Sequence, residues 1–348
     1  MKQMLIRRDN IFIYLFFIAC LAIFSSLSGF RPIDDFSIDT ESYISYFLSI
    51  SRQDEIDMAN ELMEPGFVLL TFIISRFTDN FHIYLSLLFF LFNSILFIFW
   101  KYLASYLKIQ NYSIFLLLLF GFTLSSNWYN NFCYNGLRQG IAAPLIYISI
   151  LMVIDKKYIK ALFFFIAALL FHKSALLVLL FYPILFLRIR YVLIIYFFLG
   201  GVYLTNLSEQ IIKKLSDQIN PLIYLSIADY GGDDAMYVGF SFSFFLYSFF
   251  LVLIIYFTYF LKGFLFNRTK IVHFYKLFKI YAVLIAPYFL FGFGGFSNRY
   301  AVFGWFFMPL FFTIFIWDVK LNGGIKSAFL FFLLLFALYK NLIFYFYV

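Results

Sequence analysis

The chain has 348 residues, of which 64% are hydrophobic and only 13% are charged. A soluble domain is close to half apolar and about a quarter charged, so the excess apolar residues must face lipid. The net charge of +8 does not indicate nucleic-acid binding, because the Lys and Arg residues follow the sidedness of a membrane protein. The 2 cysteines and 3 histidines match neither a disulfide framework nor a zinc site. No cleavable signal peptide is expected.

Long apolar runs predict the spanning helices, because a helix needs about 20 apolar residues to cross the hydrocarbon core. The clear runs are 11–29, 81–100, 112–127, 138–154, 190–205, 239–261, 277–292, 301–317 and 326–346. A backbone surrounded by lipid must satisfy its own hydrogen bonds, so each run is expected to be helical. The sequence therefore predicts an all-α, polytopic integral membrane protein, with a single transmembrane domain over residues 1–348.

Three shorter apolar runs, at 66–77, 160–171 and 174–187, need a separate interpretation. A run of 12 residues covers about 18 Å as a helix, well short of the roughly 30 Å core. We expect 66–77 to be a re-entrant segment that enters and leaves the membrane on one side. The other two runs are expected to form a hairpin, with His172 and Lys173 at its tip near the outer interface.

Basic residues in the short loops predict the orientation of the chain. With a cytoplasmic N-terminus and a re-entrant 66–77, most of the 26 Lys and Arg residues fall on the cytoplasmic side. This orientation predicts about 11 crossings, with the C-terminus outside. An acidic loop over 30–65 and a second loop over 206–238 are then external. The second loop shows no recognisable functional feature.

Five polar positions lie at or near the membrane on its predicted outer side, where charges by default mark function. They are Asp39 with Tyr43, Glu64, Arg138 with Gln139, His172 with Lys173, and Asn298 with Arg299 and Tyr300. Each charge also has a purely structural interpretation. Asp39 can belong to a solvated acidic face, Glu64 can complement the dipole of the following helix, and Lys173 can reach outer water. Arg138 and Arg299 can be interface anchors that snorkel to the lipid surface.

Arg138, Lys173 and Arg299 would together place three cations on one face of the membrane. Arginine presents a fork of donors that matches phosphate oxygens, and lysine adds a point charge. A lipid-linked pyrophosphate needs an outward-facing cationic cluster of this kind. A transporter for anions needs the same cluster, so the charges by themselves leave both functions open.

The same positions resemble the motifs of the EpsG family, one branch of the Wzy-like polymerases of bacterial surface polysaccharides. The resembling residues, from 39 to 300, are Asp39 with Tyr43, Glu-Pro-Gly-Phe at 64–67, Asn-Gly-Leu-Arg-Gln-Gly-Ile-Ala at 135–142, Phe-His-Lys-Ser-Ala-Leu at 171–176 and Asn-Arg-Tyr at 298–300. The Arg-Gln-x-Ile-Ala run followed by Phe-His-Lys-Ser-Ala is the more specific part of this pattern.

The resemblance implies a metal-independent membrane glycosyltransferase with a GT-C-like architecture. Such proteins join oligosaccharide repeat units carried on undecaprenyl pyrophosphate, on the outer face of the bacterial inner membrane. The product would be an O-antigen, a capsule or an exopolysaccharide. The implied partners are the lipid-linked donor and acceptor, membrane lipid and a chain-length regulator, with no nucleic acid. No cofactor is expected, and no Asp-x-Asp run indicates a metal.

The resemblance also implies roles for the polar positions. The pyrophosphate would be bound by Arg138, Gln139, Lys173, Arg299, Tyr43, Asn298 and Tyr300. The general base that deprotonates the acceptor hydroxyl would be Glu64, Asp39 or His172. A carboxylate is the favoured base, because His172 beside Lys173 more naturally donates to a phosphate.

Three other functions are weighed against a polymerase. A flippase would carry the same lipid-linked unit, but transporters of that sort commonly contain inverted repeats, and none is recognisable here. An O-antigen ligase would transfer finished polymer by the same chemistry. A purely structural scaffold gives no reason for outward cations to cluster.

Overall fold

The computed structural model describes residues 8–33, 38–56, 58, 61, 63–109, 112–228, 239–260, 271–319 and 322–347. Within these ranges the chain is helical and contains no strand, as the sequence predicted. The helices are α1 (Arg8–Gly29), α2 (Ile38–Ser51), α3 (Pro65–Ser75), α4 (Phe81–Tyr106), α5 (Tyr112–Leu124), α6 (Asn127–Tyr134), α7 (Leu137–Ile154), α8 (Tyr158–Phe171), α9 (Ala175–Leu179), a 3₁₀ helix (Tyr182–Phe186), α10 (Ile189–Leu204), α11 (Leu207–Ile219), α12 (Leu222–Ala228), α13 (Phe242–Phe260), α14 (Ile271–Phe291), α15 (Asn298–Trp305), α16 (Pro309–Asp318) and α17 (Gly323–Tyr347).

Among the described residues, five helical segments are long and apolar enough to cross a membrane: α4, α7, α14, α15 with α16, and α17. The pair α10 and α11 is a sixth candidate if it is counted as one span, although the chain bends by 82° between them. Shorter apolar segments are Tyr14–Gly29, Pro65–Ser75, Tyr112–Leu124, Tyr158–Phe171, Ala175–Phe186 and Phe242–Leu251. The protein is therefore an all-helical membrane protein. The count of about 11 crossings stays a prediction from the charge distribution.

The chain forms two compact units, the first of Met1–Ala175 with Ser327–Val348 and the second of Leu176–Lys326. In the first unit α7 is central, since it packs against α8 and α4, and α4 in turn packs against α1. From Gln139 to Val153 every residue of α7 is buried. This segment is largely apolar on all sides, which is typical of a helix in the interior of a bundle.

Several helices of the first unit meet at one of its ends. His82 Nδ1 lies 2.8 Å from the carbonyl oxygen of Gly29, so α4 begins where α1 ends. The Thr71 hydroxyl, in the middle of α3, lies 3.0 Å from the hydroxyl of Tyr84 in the first turn of α4. Phe47 of α2 stacks on the same tyrosine with ring centroids 4.3 Å apart. Both α2 and α3 therefore contact the end of the unit where α1 ends and α4 begins.

The second unit is built around α14, which packs against α10, α15 and α16. Ser248 of α13 links these helices through hydrogen bonds. The hydroxyls of Tyr196 and Tyr281 donate to its carbonyl oxygen at 2.7 and 2.9 Å, and Trp305 Nε1 donates to its hydroxyl at 2.9 Å. Buried tyrosine and tryptophan usually find such partners for their polar tips.

Proline interrupts two of the predicted helices. The run 174–187 divides into α9 and a 3₁₀ helix that contains Pro183 in its first turn. The run 301–317 divides into α15 and α16, with Pro309 as the first residue of α16. Proline lacks the N–H that would continue a helix and its ring clashes with the preceding turn. The expected continuous helices are therefore broken at these positions.

The two stretches expected to be loops contain helices of their own. The acidic stretch 30–65 contains α2, which begins with Asp39 and Glu41 in its first turn. The stretch 206–238 contains α11 and α12. Residues 34–37, 57, 59, 60 and 62 of the first stretch and 229–238 of the second lie outside the described residues.

Candidate active site around Glu64

Glu64 directly precedes α3 and has an extended backbone conformation, with Pro65 as the first helical residue. Proline suits this position because its missing N–H would have no partner in the first turn. The Glu64 carbonyl oxygen accepts hydrogen bonds from the N–H groups of Phe67 and Val68 at 2.9 and 3.0 Å. Its carboxylate makes no capping hydrogen bond to α3. The side chain is only 5% exposed and is bonded by residues of other helices instead.

Three residues from α7 and the end of α8 surround the Glu64 carboxylate. Arg138, the second residue of α7, forms an ion pair with Oε2 through Nη1. His172 Nδ1 lies 3.6 Å from Oε1, and the backbone N–H of Lys173 donates to the same oxygen at 3.2 Å. One buried carboxylate thus joins α3, α7 and the turn after α8. Tyr43 of α2 lies beside Arg138. We call Glu64, Arg138, His172, Lys173 and Tyr43 the Glu64 cluster.

Gly66 explains how α3 comes close enough to α8 for these contacts. A Cβ atom at this position would lie 2.7 Å from both the Cβ and the carbonyl oxygen of Leu170. Glycine therefore allows the first turn of α3 to pack directly against the last turn of α8. Because Glu64 and His172 lie two residues beyond these contact points, the close packing brings their side chains together.

Two aromatic rings hold the Arg138 guanidinium in place. Its Cζ lies 5.9 Å from the ring centroid of Tyr43 and 6.0 Å from that of Phe67. Both rings are buried and contact each other at 5.5 Å. A cation near an aromatic face is attracted by the negative charge of that face. Arg138 Nε is buried and has no hydrogen-bond partner among the described residues, whereas the side chain as a whole is 23% exposed.

The charge state of Glu64 follows from these neighbours. Burial on its own raises the pKa of the Glu64 carboxyl, because it disfavours the charged form. The nearby His172 ring and the charge of Arg138 outweigh burial, and the pKa of Glu64 is lowered to about 2. A general base works best with a pKa near the working pH. Glu64 is therefore better suited to being a fixed counter-charge than a proton acceptor.

The comparison with known protein families decides the class of this protein. Residues 13–348, nearly the whole chain, match the model of the EpsG family. The chain belongs to the EpsG family. Membership implies a membrane-embedded exopolysaccharide polymerase of the Wzy type, and it confirms the resemblance found in the motifs. No curated protein and no solved structure matches the chain.

In this EpsG family member Asp39 lies at the start of α2, half-buried. Its backbone N–H donates to Asn135 Oδ1 at 3.4 Å, which connects α2 to the end of α6. The adjacent Thr40 is fully buried and accepts a hydrogen bond from Arg31 Nη2 at 2.8 Å. Arg31 is only 2% exposed and also donates to the carbonyl oxygen of Ser28. Arg31 thereby fastens the end of α1 to the start of α2.

Arg31 is a residue that the sequence interpretation did not single out. It follows the first apolar run directly, on the side predicted to be external. An arginine there departs from the usual bias of Lys and Arg towards the cytoplasm. That departure is the signal that could have marked Arg31 as a buried, structurally engaged cation.

The remaining pyrophosphate candidates of the first unit differ in exposure. Gln139 is buried beside Arg138. The side chain of Lys173 is exposed, and only its backbone is bonded to Glu64. Ser174 Oγ is buried and has no hydrogen-bond partner among the described residues. The turn 172–174 thus presents one exposed cation and one buried hydroxyl next to the Glu64 cluster.

The candidates Asn298, Arg299 and Tyr300 lie at the start of α15 in the second unit. The Arg299 guanidinium lies 4.6 Å from the ring centroid of Phe296, and Tyr300 contacts Phe291 at 6.1 Å. Asn298 Oδ1 is buried and has no hydrogen-bond partner among the described residues. That Arg299 joins Arg138 and Lys173 at one pyrophosphate stays a prediction from the sequence.

The structure therefore brings Glu64, Arg138, His172, Tyr43 and the Lys173 backbone into one cluster. Among the described residues, no group of three or more His, Cys, Asp or Glu side chains is arranged to hold a metal ion. What the cluster offers chemically is a partly exposed guanidinium, an imidazole next to a carboxylate, and the exposed side chain of Lys173 nearby.

Proposed function

We propose that this protein joins oligosaccharide repeat units carried on undecaprenyl pyrophosphate into a surface polysaccharide. The proposed product is an O-antigen, a capsule or an exopolysaccharide, made at the outer face of the bacterial inner membrane. Membership of the EpsG family supports the polymerase class. The observation that carries the proposal is the buried Glu64 carboxylate that orients Arg138 and His172 together.

The proposed reaction is a displacement at the anomeric carbon of the donor sugar. The bond from that carbon to the pyrophosphate oxygen breaks, and a bond to the acceptor hydroxyl oxygen forms. The hydroxyl proton passes to a base on the protein, and the lipid pyrophosphate leaves with the electron pair. The protein must therefore stabilise the charge that grows on the leaving group, align the acceptor and accept one proton.

Arg138 is the proposed main contact to the pyrophosphate. Its ion pair with Glu64 and its position beside Tyr43 and Phe67 fix the guanidinium before substrate arrives. Preorganised donors of this kind stabilise developing charge without reorganising during the reaction. Lys173 is proposed to add a second cation from the turn after α8, and Arg299 a third. GT-C-like architecture is part of the same proposal.

We place the general base on His172 rather than on Glu64. An imidazole can accept a proton near neutral pH, and an adjacent carboxylate stabilises the imidazolium that forms. The low pKa of Glu64 supports a role as that carboxylate. Asp39, half-buried at the start of α2, is the other candidate base. The pH profiles of His172→Ala and Asp39→Asn separate the two.

The proposed location of the site is the outer side, with a cytoplasmic N-terminus and about 11 crossings. Two contacts support the re-entrant assignment of 66–77, the segment that contains most of α3. α4 begins where α1 ends, so the chain between them makes no net crossing. Arg76 Nη2, just after α3, donates to the Ile50 carbonyl oxygen at 3.2 Å. The start of α3 thus contacts the Glu64 cluster, and its end contacts α2, which itself packs against the first turn of α4. α3 therefore need not cross the hydrocarbon core.

The decisive experiment replaces Arg138 by Ala in a polymer-producing strain. We expect long-chain polysaccharide to fall by about 10²-fold or more, because one preorganised contact to the leaving group is lost. Electrophoresis of the extracted polysaccharide measures the chain length, and immunoblotting controls for protein level. Arg190→Ala is the matched control, since Arg190 is exposed at the start of α10. Long chains at normal protein levels in Arg138→Ala would overturn the proposal.

The same experiment separates the polymerase from its rivals. Loss of a polymerase leaves single repeat units attached to the final acceptor. Loss of a ligase leaves no attached units, and loss of a flippase traps lipid-linked units on the cytoplasmic side. Either of the last two patterns in Arg138→Ala would replace the polymerase by a ligase or by a flippase.

A further inference from the structure

The helix α11 of the second unit runs at a sharp angle to the helix before it. α10 is an apolar helix of about 24 Å, and the axis of α11 is bent from it by 82°. The bend occurs at Asn206, whose φ of 54° lies in the left-handed region. Asparagine adopts this conformation more readily than most residues. If α10 runs across the membrane, α11 must lie nearly parallel to the membrane surface.

The side chains of α11 divide into three faces along its length. One face is buried in the second unit and includes Ser208 and Ser216. A second face is apolar and exposed, and consists of Leu207, Ile211, Leu215 and Ile219. These four recur at every fourth position and therefore follow one stripe on the helix. The third face is polar and exposed, with Gln210, Lys213 and Asp217, and the exposed Lys214 and Gln218 lie at the border between this face and the stripe.

The polar face is connected to the next helix, which leaves the apolar stripe uncovered. Tyr224 of α12 donates through its hydroxyl to Glu209 at 2.8 Å, and Lys213 Nζ lies 5.6 Å from the centroid of the same ring. Ser216 Oγ accepts a hydrogen bond from the Tyr224 N–H at 3.0 Å. α12 thus packs on the side of α11 away from the stripe.

The apolar stripe follows a helix that also exposes large apolar side chains. α10 exposes Ile194 and Phe198 in its middle and Leu204 at its end, and the first stripe residue, Leu207, follows after Thr205 and Asn206. Beyond α11, Leu222 is exposed as well. An apolar stripe next to a charged face is the pattern of helices that lie in the membrane interface. The continuity from α10 favours the bilayer over a protein partner as the occupant.

We propose that α11 is an interfacial helix that lies in the plane of the membrane surface. The stripe Leu207, Ile211, Leu215 and Ile219 enters the boundary between headgroups and acyl chains, and the polar face remains in water. The occupant of the stripe is the lipid of the bilayer that holds the chain. The stretch expected to be a featureless external loop then begins as a membrane-attached helix. This assignment is independent of the proposed polymerase activity.

Spin labels on single cysteines in the full chain test this assignment. Cys20 and Cys133 are first replaced by serine, and the protein is reconstituted in vesicles of phosphatidylethanolamine and phosphatidylglycerol. Labels at Ile211→Cys and Leu215→Cys report on the stripe, and the matched controls are Gln210→Cys and Asp217→Cys on the polar face. Collision with oxygen, which concentrates in lipid, is compared with collision with a water-soluble nickel chelate.

We expect the ratio of oxygen to nickel collisions to be severalfold higher at 211 and 215 than at 210 and 217. Equal ratios on both faces would overturn the proposal, because the stripe would then lie in water. Low collision rates with both reagents at 211 and 215 would also overturn it, because protein would then cover the stripe. Two positions on each face keep the test valid if one variant fails to fold, since all four side chains are exposed.

Discussion

Each unit of the protein contains a buried carboxylate beside a histidine. In the first unit Glu64 Oε1 lies 3.6 Å from His172 Nδ1, and in the second Asp318 Oδ2 lies 3.2 Å from His273 Nδ1. Both carboxylate side chains are buried to the same extent. A buried carboxylate–histidine pair is therefore not by itself enough to identify a catalytic site.

The two pairs differ in what surrounds them and in the motifs to which they belong. Glu64 is also bonded by the Arg138 side chain and the Lys173 backbone, and both residues of this pair lie in motifs that resemble the EpsG family. His273 and Asp318 lie in none of those motifs. They occupy the first turn of α14 and the last residue of α16. We expect the first pair to support catalysis and the second to hold two helix ends together.

The largest expected effect comes from neutralising the carboxylate of each pair. Glu64→Gln keeps the side-chain size but leaves Arg138 without its counter-charge, so polymer formation should fall by about 10²–10³-fold. Asp318→Asn should change polymer formation by less than about tenfold, since it weakens the bond between His273 and Asp318 at two helix ends, outside the Glu64 cluster. Polysaccharide chain length at matched protein levels measures both. Equal losses in the two variants would mean that the pairs do not differ in function.

The second-largest expected effect tests which residue is the general base. His172→Ala should lower the rate at neutral pH by about 10²-fold and flatten its dependence on pH, because the titrating base is removed. His273→Ala should retain the normal pH profile. Rate measurements on purified protein with lipid-linked repeat units, over a range of pH, give both results. A normal profile in His172→Ala with a flattened one in Asp39→Asn would move the base to Asp39.

A smaller effect is expected from the close packing that positions the cluster. Gly66→Ala places a Cβ atom 2.7 Å from Leu170 backbone and side-chain atoms, and such overpacking typically costs about 1–3 kcal/mol. Gly201→Ala in α10 is the control, because no atom lies within 4 Å of its added Cβ and alanine favours helix by about 1 kcal/mol. Thermal unfolding in detergent should show a lower Tm for the first variant only. An unchanged Tm would show that α3 can shift without cost.

The smallest expected effect is a change in the stability of the folded protein at acidic pH. The pKa of Glu64 is lowered from 4.5 to about 2, so its ionised form stabilises the folded state above about pH 4.5, and this contribution is lost as pH falls towards 2. The difference in Tm between wild type and Glu64→Gln should therefore not shrink between about pH 8 and about pH 5, and it should shrink below about pH 4. A difference that shrinks between about pH 8 and about pH 6 would assign the main contribution to another group.

The sequence by itself determined the class of the molecule and the identity of most candidate residues. Apolar runs such as 81–100 and 138–154 had to become helices, because lipid leaves no other partner for their backbone groups. Glu64, Arg138 and His172 could be selected because charged and polar groups are expensive near lipid. Arg31 escaped selection, since its burial depends on its hydrogen bond to Thr40, which forms only when the start of α2 lies close to the end of α1.

Only the tertiary structure decided which of these residues meet and how the chain bends between helices. Glu64 and Arg138 are separated by 74 positions, and they meet because α3 packs against α8 at Gly66 and Leu170 while α8 packs against α7. The bend at Asn206 likewise turns α11 away from the direction of α10. The start of the expected loop is thus an amphipathic helix with an exposed stripe. Local sequence sets the propensity and polarity of each segment, whereas distant contacts and single backbone angles depend on how the whole unit packs.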